Sequence, residues 1–174
     1  MADPKRVVER HVEAFNARDA DAEPWSDDAD FVAPNASMHG REEVLGFLGV
    51  FWDAFPDGRL ETSRLLAEGS VVAAEGRFIG TRTGVMRTPA GDVAATGRQV
   101  DFRWMSSYEV RGDELASEHL YFDQVELLSQ LGLMPATRAR SCLAREEAAP
   151  SQTAAFHPKQ QSCLDYCFSS KAAI

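Results

Sequence analysis

The sequence predicts an α+β fold in which helices come first and then cover one face of an antiparallel meander of strands. Three observations carry this. Apolar residues recur at helical spacing near the N-terminus and again over 41–55. Between 59 and 123 they alternate instead, in runs separated by glycine-containing turn pairs. Beyond 135 the chain turns rich in Ala, Ser and Gln, carries Pro150 and Pro158, and loses its periodicity. Residues 3–134 are therefore expected to form one folded domain, and 135–174 a low-complexity, disordered or weakly helical tail.

The elements follow in order. Asp3 suits the N-cap of the first helix, Pro4 its first turn, and Val8, Val12 and Phe15 its apolar stripe, with an end between 16 and 19. Residues 22–28, with Pro24 near their start, read as a short second helix, followed by a brief strand about Phe31-Val32-Ala33. A third helix over 41–55 presents Val44, Leu48, Phe51 and Phe55, flanked by Leu45 and Trp52, until Pro56-Asp57-Gly58 stops it. Strands over 59–68 and 71–81 meet at Gly69-Ser70, a pair suited to a tight hairpin. Residues 83–98 contain Gly84, Pro89, Gly91 and Gly97 and read as loop. Strands over 100–110 and 115–123 form a second hairpin, and a short amphipathic helix over 125–131 closes the domain before Gly132 and Pro135.

Size and charge bound the function. The 174 residues suffice for one well-buried core but not for two, and a hydrophobic fraction of 44% excludes wholesale disorder. No apolar run approaches the roughly 18 residues of a membrane span. Met1-Ala2-Asp3-Pro4 lacks the basic-then-apolar pattern of a signal peptide, so a cytoplasmic location is the default expectation. The net charge is −9, and residues 1–136 carry 13 Lys+Arg against 24 Asp+Glu. Such a domain repels phosphate backbones and is not expected to bind nucleic acid. Cys142, Cys163 and Cys167 all lie in the tail, so the folded part needs no disulfide and uses no thiol chemistry.

The second hairpin holds the most informative polar groups. With Gly112-Asp113 as a two-residue turn, Arg111 pairs with Glu114, and an unbroken register then sets Tyr108 opposite Ser117, Ser106 opposite His119, Trp104 opposite Tyr121 and Phe102 opposite Asp123. These side chains share one face, largely apolar, which the helices are expected to cover. The other face carries Asp101, Arg103, Glu109 and Glu118. A carboxylate on a buried face must be paired, neutralised or turned to a cavity. Two readings stand side by side. In one, Asp123 is a general acid or base in an apolar pocket with His119 beside it. In the other, Asp123 caps the helix that follows and His119 is a bonded core residue.

Several segments resemble a known family in their order along the chain. They are Phe15-Asn-Ala-Arg-Asp19, His39-Gly-Arg41, Phe55-Pro-Asp-Gly58, the run from Leu65 to Val72, Gly80-Thr-Arg-Thr-Gly84, Thr96-Gly-Arg-Gln-Val100, Glu118-His-Leu-Tyr-Phe-Asp123 and Leu127-Leu-Ser-Gln-Leu-Gly132. Together they resemble the SnoaL-like polyketide cyclases over about residues 5–134. The resemblance implies a fold like nuclear transport factor 2, a cone-shaped curved antiparallel sheet wrapped by N-terminal helices around a deep pocket. It also implies intramolecular aldol ring closure of a small aromatic, polyketide-like substrate in secondary metabolism, with no metal or other cofactor and with an aspartate as acid/base. The matching position is Asp123. His119, Tyr121 and Ser106 would be donors to the enolate, and Tyr121, Trp104, Phe102, Ser106, Tyr108, Phe15 and Phe51 would line the substrate pocket. Arg82 stands where the family's usual Gly-Thr-His-Thr-Gly has histidine.

Other readings are weighed beside this one. The strand ending at Asp123 also resembles that of limonene-epoxide-hydrolase-like enzymes, but Ala74-Glu75-Gly76-Arg77 lacks the Arg-x-Asp those enzymes carry, and Arg64 with Glu75 reads as a structural ion pair across the first hairpin. A non-catalytic ligand-binding or dimerisation module is the third reading, with the charged sheet face, including Arg103 and Glu109, as the surface on which two copies would pair. His11, on the stripe of the first helix, is either a core histidine or a pocket residue. Asp27, Asp28 and Asp30 read as a solvated stretch and not as a metal cage. His157 with Cys142, Cys163 and Cys167 lacks a familiar zinc spacing, so free thiols are expected there.

Overall fold

The computed structural model describes residues 3–134, except 35, 89 and 90. The tail, including His157 and the three cysteines, lies outside the described residues. The element order is α1 (Pro4–Ala17), β1 (Trp25–Ala33), β2 (Ala36–His39), α2 (Arg41–Ala54), β3 (Arg59–Glu68), β4 (Val71–Thr81), β5 (Met86–Thr88), β6 (Gly91–Val93), β7 (Gln99–Arg111), β8 (Glu114–Phe122) and α3 (Gln124–Gln130). The main sheet runs β2-β1-β8-β7-β4-β3, and β5 and β6 form a separate small ladder.

α1 starts as its sequence predicts: Asp3 accepts from the Lys5 amide, Pro4 occupies the first turn, and Val7, Val8, His11, Ala14 and Phe15 are buried. It stops where Arg18 turns left-handed at φ 57°. That turn sends the Arg18 guanidinium to the carbonyls of Phe55 and Gly58, tying the end of α1 to the turn after α2. Trp52 on α2 donates to the Phe15 carbonyl at 3.0 Å. The two helices are thus pinned together over the sheet by side chain to backbone bonds at helix ends, where carbonyls lack intrahelical partners.

Residues 22–28 are not a helix. Trp25–Ala33 is one nine-residue strand that runs parallel to β8, with Phe31 opposite Glu118 and Val32 opposite His119. The Asp-rich stretch has poor strand propensity, and pairing with β8 overrides it. The other pairings within the main sheet are antiparallel, so the sheet is mixed. The first hairpin has the expected turn, with Glu68 opposite Val71, and Arg64 lies 3.3 Å from Glu75 as an exposed ion pair.

Strand β7 alternates cleanly. Val100, Phe102, Trp104, Ser106, Tyr108 and Val110 are buried, while Arg103, Met105, Ser107 and Glu109 are exposed. Gly76 on β4 lies opposite Trp104, and a Cβ there would sit 2.8 Å from the Trp104 ring and 2.1 Å from the Glu61 carbonyl oxygen, so glycine alone fits at this position. The core is mainly aromatic and aliphatic, built on Phe15, Trp25, Phe31, Phe55, Phe78, Phe102 and Trp104.

Candidate active site

The position of every polar group in the site depends on one irregularity in β8. The turn pairs Arg111 with Glu114 and Val110 with Leu115 as expected, but the next pair is Glu109 with Ser117. Ala116 is an extra residue, a β-bulge, and every later partner moves by one: Tyr108 faces Glu118, Ser106 faces Leu120 and Trp104 faces Phe122. A one-residue shift exchanges the two faces of a strand. Glu118, Leu120 and Phe122 therefore point toward the helices, and His119, Tyr121 and Asp123 point away.

The two residues expected to be catalytic are consequently outside the core. Asp123 is exposed and caps α3, its Oδ1 accepting from the amides of Val125 at 2.8 Å and Glu126 at 3.1 Å. His119 is exposed on the outer surface near Asp30, Ser37, His39 and Glu43. Tyr121 is 59% exposed in an outer groove with Arg77, Arg103, Met105 and Asp123. Of the expected pocket residues, Phe15, Phe51, Phe102, Trp104 and Tyr108 do line a common cavity, and Ser106 is buried just behind it.

That cavity lies between α1, α2 and the inner face of the sheet. His11, Phe15, Phe31, Phe78, Phe102, Trp104, Tyr108 and Glu118 form its buried part, and the half-buried Phe47, Phe51, Leu60, Leu120 and Phe122 lead to the surface. It encloses about 50 Å³, space for a few water molecules. Among the described residues its titratable lining groups are His11, Tyr108 and Glu118.

Glu118 and His11 belong to a buried polar cluster in which each contact can be assigned. The Ser106 hydroxyl donates to Glu118 Oε1 at 2.6 Å, and Glu118 Oε2 has no hydrogen-bond partner among the described residues. His11 Nε2 lies 4.0 Å from that free oxygen. Its Nδ1 lies 2.6 Å from Oε2 of Glu23, a fully buried residue in the turn between α1 and β1. Arg41 shapes that turn by donating to the backbone carbonyls of Ala20, Glu23 and Trp25. Trp25 packs edge-on against the imidazole at 5.4 Å, which fixes the ring plane.

Burial raises the Glu118 pKa above the usual carboxylate range. The His11 charge, the hydrogen bond from Ser106 and the nearby Tyr108 hydroxyl pull it back only in part. For His11, burial alone would favour the neutral ring, but the charge and hydrogen bond of Glu23, followed by the charge of Glu118, outweigh it and raise the pKa. The Tyr108 hydroxyl is pushed well up by burial and then by the Glu118 charge, so it stays protonated and can only donate or accept as a neutral group. A carboxyl group of raised pKa beside an imidazole whose pKa is also raised, in an apolar cavity, suits proton transfer to and from carbon.

An unbroken register places Glu118 on the charged outer face, which the bulge overturns, and nothing in the spacing marks Glu23 or decides between core and pocket for His11. The signal for Glu118 was nevertheless present: Leu115 has one parity along β8 while Leu120 and Phe122 have the other, so no unbroken register can bury all three. Arg82 is buried outside the cavity, with Nη2 donating to the Val93 carbonyl at 2.7 Å and with Nε and Nη1 unpartnered among the described residues.

Comparison with known proteins agrees with this architecture. Residues 5–131 match the family model described as SnoaL-like polyketide cyclase. The chain belongs to this family. Among solved structures, this SnoaL-like protein is similar to one from Jannaschia sp. CCS1 assigned as a SnoaL-like polyketide cyclase, with a TM-score of 0.66 at 18% identity over 76% of this chain and 93% of that one. It is similar to IdmH of Streptomyces antibioticus, assigned as a polyketide cyclase, with a TM-score of 0.63 at 24% identity over 75% and 99% of the two chains. It is also similar to AclR of Streptomyces galilaeus, assigned as a hydroxylase, with a TM-score of 0.65 at 23% identity over 78% and 88%. At these identities the likeness establishes the fold, and the differing assignments show that the fold does not name the reaction. None of the curated proteins matches the chain.

Proposed function

We propose that this SnoaL-like protein is an acid/base enzyme of the polyketide cyclase type, closing a ring by intramolecular aldol addition, and that Glu118 carries the proton transfer. The single observation behind this is the free Oε2 of a fully buried glutamate whose other oxygen is held by Ser106, in a cavity otherwise lined with aromatic and aliphatic side chains. In the reaction Glu118 takes a proton from the carbon next to a carbonyl, and the C–H electron pair becomes an enolate. The enolate carbon then bonds to a second carbonyl of the same molecule, and the alkoxide formed recovers a proton. The aromatic walls would fold the chain so that the two carbons meet.

The cavity of about 50 Å³ is far below the roughly 300–1,000 Å³ of a drug-sized ligand site. Substrate therefore has to displace the half-buried side chains at the mouth, Phe47, Phe51 and Phe122 among them. The structure of TerC, similar to this chain with a TM-score of 0.60 at 15% identity, was obtained by co-crystallisation with polyporic acid, and by analogy a flat aromatic ligand is the class to test.

The test is deuterium wash-in at the acidic carbon of an aryl 1,3-diketone in heavy water, followed by NMR, with wild type and Glu118→Gln compared. Exchange that is lost in the variant supports the reading. Undiminished exchange in a folded Glu118→Gln protein would remove Glu118 from the chemistry.

A further inference from the structure

The gap between His11 and Glu118 has a specific size. At 4.0 Å, Nε2 and Oε2 are too far apart to bond each other. A substrate carbonyl oxygen set into that gap about 2.8 Å from Nε2 can accept its hydrogen, while Glu118, an acceptor when ionised, is left to face the neighbouring carbon. Both residues line the cavity, so that position is the one a substrate oxygen reaches when its neighbouring carbon approaches Glu118.

On the other side of the ring, Glu23 Oε2 sits 2.6 Å from Nδ1 and so requires a proton there. Glu23 is outside the cavity lining and 2% exposed, and its carbonyl is held by Arg41. It can meet substrate only through His11. The other charged or titratable groups facing the imidazole are Glu118 of β8 and Tyr108 of β7, whose ring lies 6.0 Å away.

Building on the assignment of Glu118, we infer that His11 is a second catalytic residue, donating from Nε2 to the enolate oxygen, and that Glu23 is the positioning residue that keeps it a donor. The proton account is closed. Glu118 carboxylate receives the carbon-bound proton, the enolate oxygen takes a hydrogen bond from imidazolium Nε2–H without transfer, and the proton on Glu118 returns to the alkoxide after the C–C bond forms. Without Glu23 the buried ring would favour its neutral form, with one proton to share between its two nitrogens, and Nε2 would no longer be a fixed donor.

The test uses the full chain labelled with ¹⁵N-histidine. Wild-type His11 should show imidazolium ¹⁵N shifts at pH 7, and Glu23→Gln should move it to the neutral ring at that pH. Glu23→Asp, which keeps the charge, should restore the imidazolium signal. In the aryl diketone assay His11→Gln should lower exchange about 100-fold, the usual effect of one oxyanion donor, with little change in KM. Glu23→Gln should lower it most above neutral pH and less at pH 6, and should add nothing to His11→Gln. A His11 charge state that is indifferent to Glu23→Gln overturns the positioning role, and full activity in His11→Gln overturns the donor role. Failure of the Glu118 assignment is read separately, from Glu118→Gln alone, and the NMR result does not depend on it.

Discussion

Replacing Glu118 by Gln should make the protein more stable while it loses activity, and the size of the gain follows from the buried cluster. Two carboxylates, Glu23 and Glu118, surround one imidazole, and all three side chains are almost fully buried. With both acids ionised, one imidazolium cannot neutralise them, and the excess charge is unsolvated. Glutamine keeps an oxygen for the Ser106 donor and removes the excess charge. Leaving a buried polar group poorly satisfied costs about 1–3 kcal/mol, so the variant should gain roughly 1–2 kcal/mol at neutral pH. In a domain of this size that raises Tm by roughly 3–8 °C.

The sign of the pH dependence is set by the raised pKa of Glu118. Its contribution to stability is fully present below the unfolded value of about 4.3 and is lost as pH rises through the higher folded value. The advantage of the variant should therefore vanish near pH 4 and reach a plateau at alkaline pH. Proton transfer by a positioned group is worth about 10²–10⁴ in rate, so diketone exchange should fall by that factor. Thermal melts from pH 4 to 9, followed by circular dichroism and paired with the exchange assay, measure both. A variant less stable than wild type at every pH would refute the view that an ionised Glu118 burdens the fold.

Three other substitutions test neighbouring claims. Asp123→Ala removes the two amide bonds at the start of α3 and should cost about 1 kcal/mol in denaturant titrations while leaving exchange intact; loss of exchange would return Asp123 to the chemistry. Ser106→Ala removes the 2.6 Å donor to Glu118, so the Glu118 pKa should rise further and the acidic limb of the pH–rate profile should move to higher pH. A profile that stays in place would mean that Glu118 is not the titrating base. Gly76→Ala drives a Cβ to 2.1 Å from the Glu61 carbonyl oxygen and against the Trp104 ring, which should cost about 1–3 kcal/mol and lower Tm; an unchanged melt would show that β3 yields freely there.

Much of the fold was legible in the residues. The Asp3-Pro4 start of α1, the apolar face of α2 with its stop at Pro56-Asp57-Gly58, the Gly69-Ser70 hairpin and the alternation of β7 all depend on neighbours within a few positions, and each stands as read. The ordered motifs placed the chain in its family for the same reason. The strand β1 was misread because its stability comes from β8, some 90 residues away, and not from the Asp-rich segment itself.

The site divided along the same line. That β7 and β8 pair about Gly112-Asp113, and that Trp104, Phe102 and Tyr108 share a buried face, was determined by the sequence alone, because alternation and turn chemistry are local properties. Which acid on β8 joins that face was decided only in the tertiary structure. The bulge at Ala116 lets Leu115 stay buried near the turn while Leu120 and Phe122 face the helices beyond it, and the same one-residue shift carries Glu118 inward and Asp123 out to cap α3. The cost of exposing two large apolar side chains, set against one unpaired residue at a bulge, selects that register. Glu23 then meets His11 only because the turn before β1 folds back over α1 under the grip of Arg41, a contact no spacing along the chain announces.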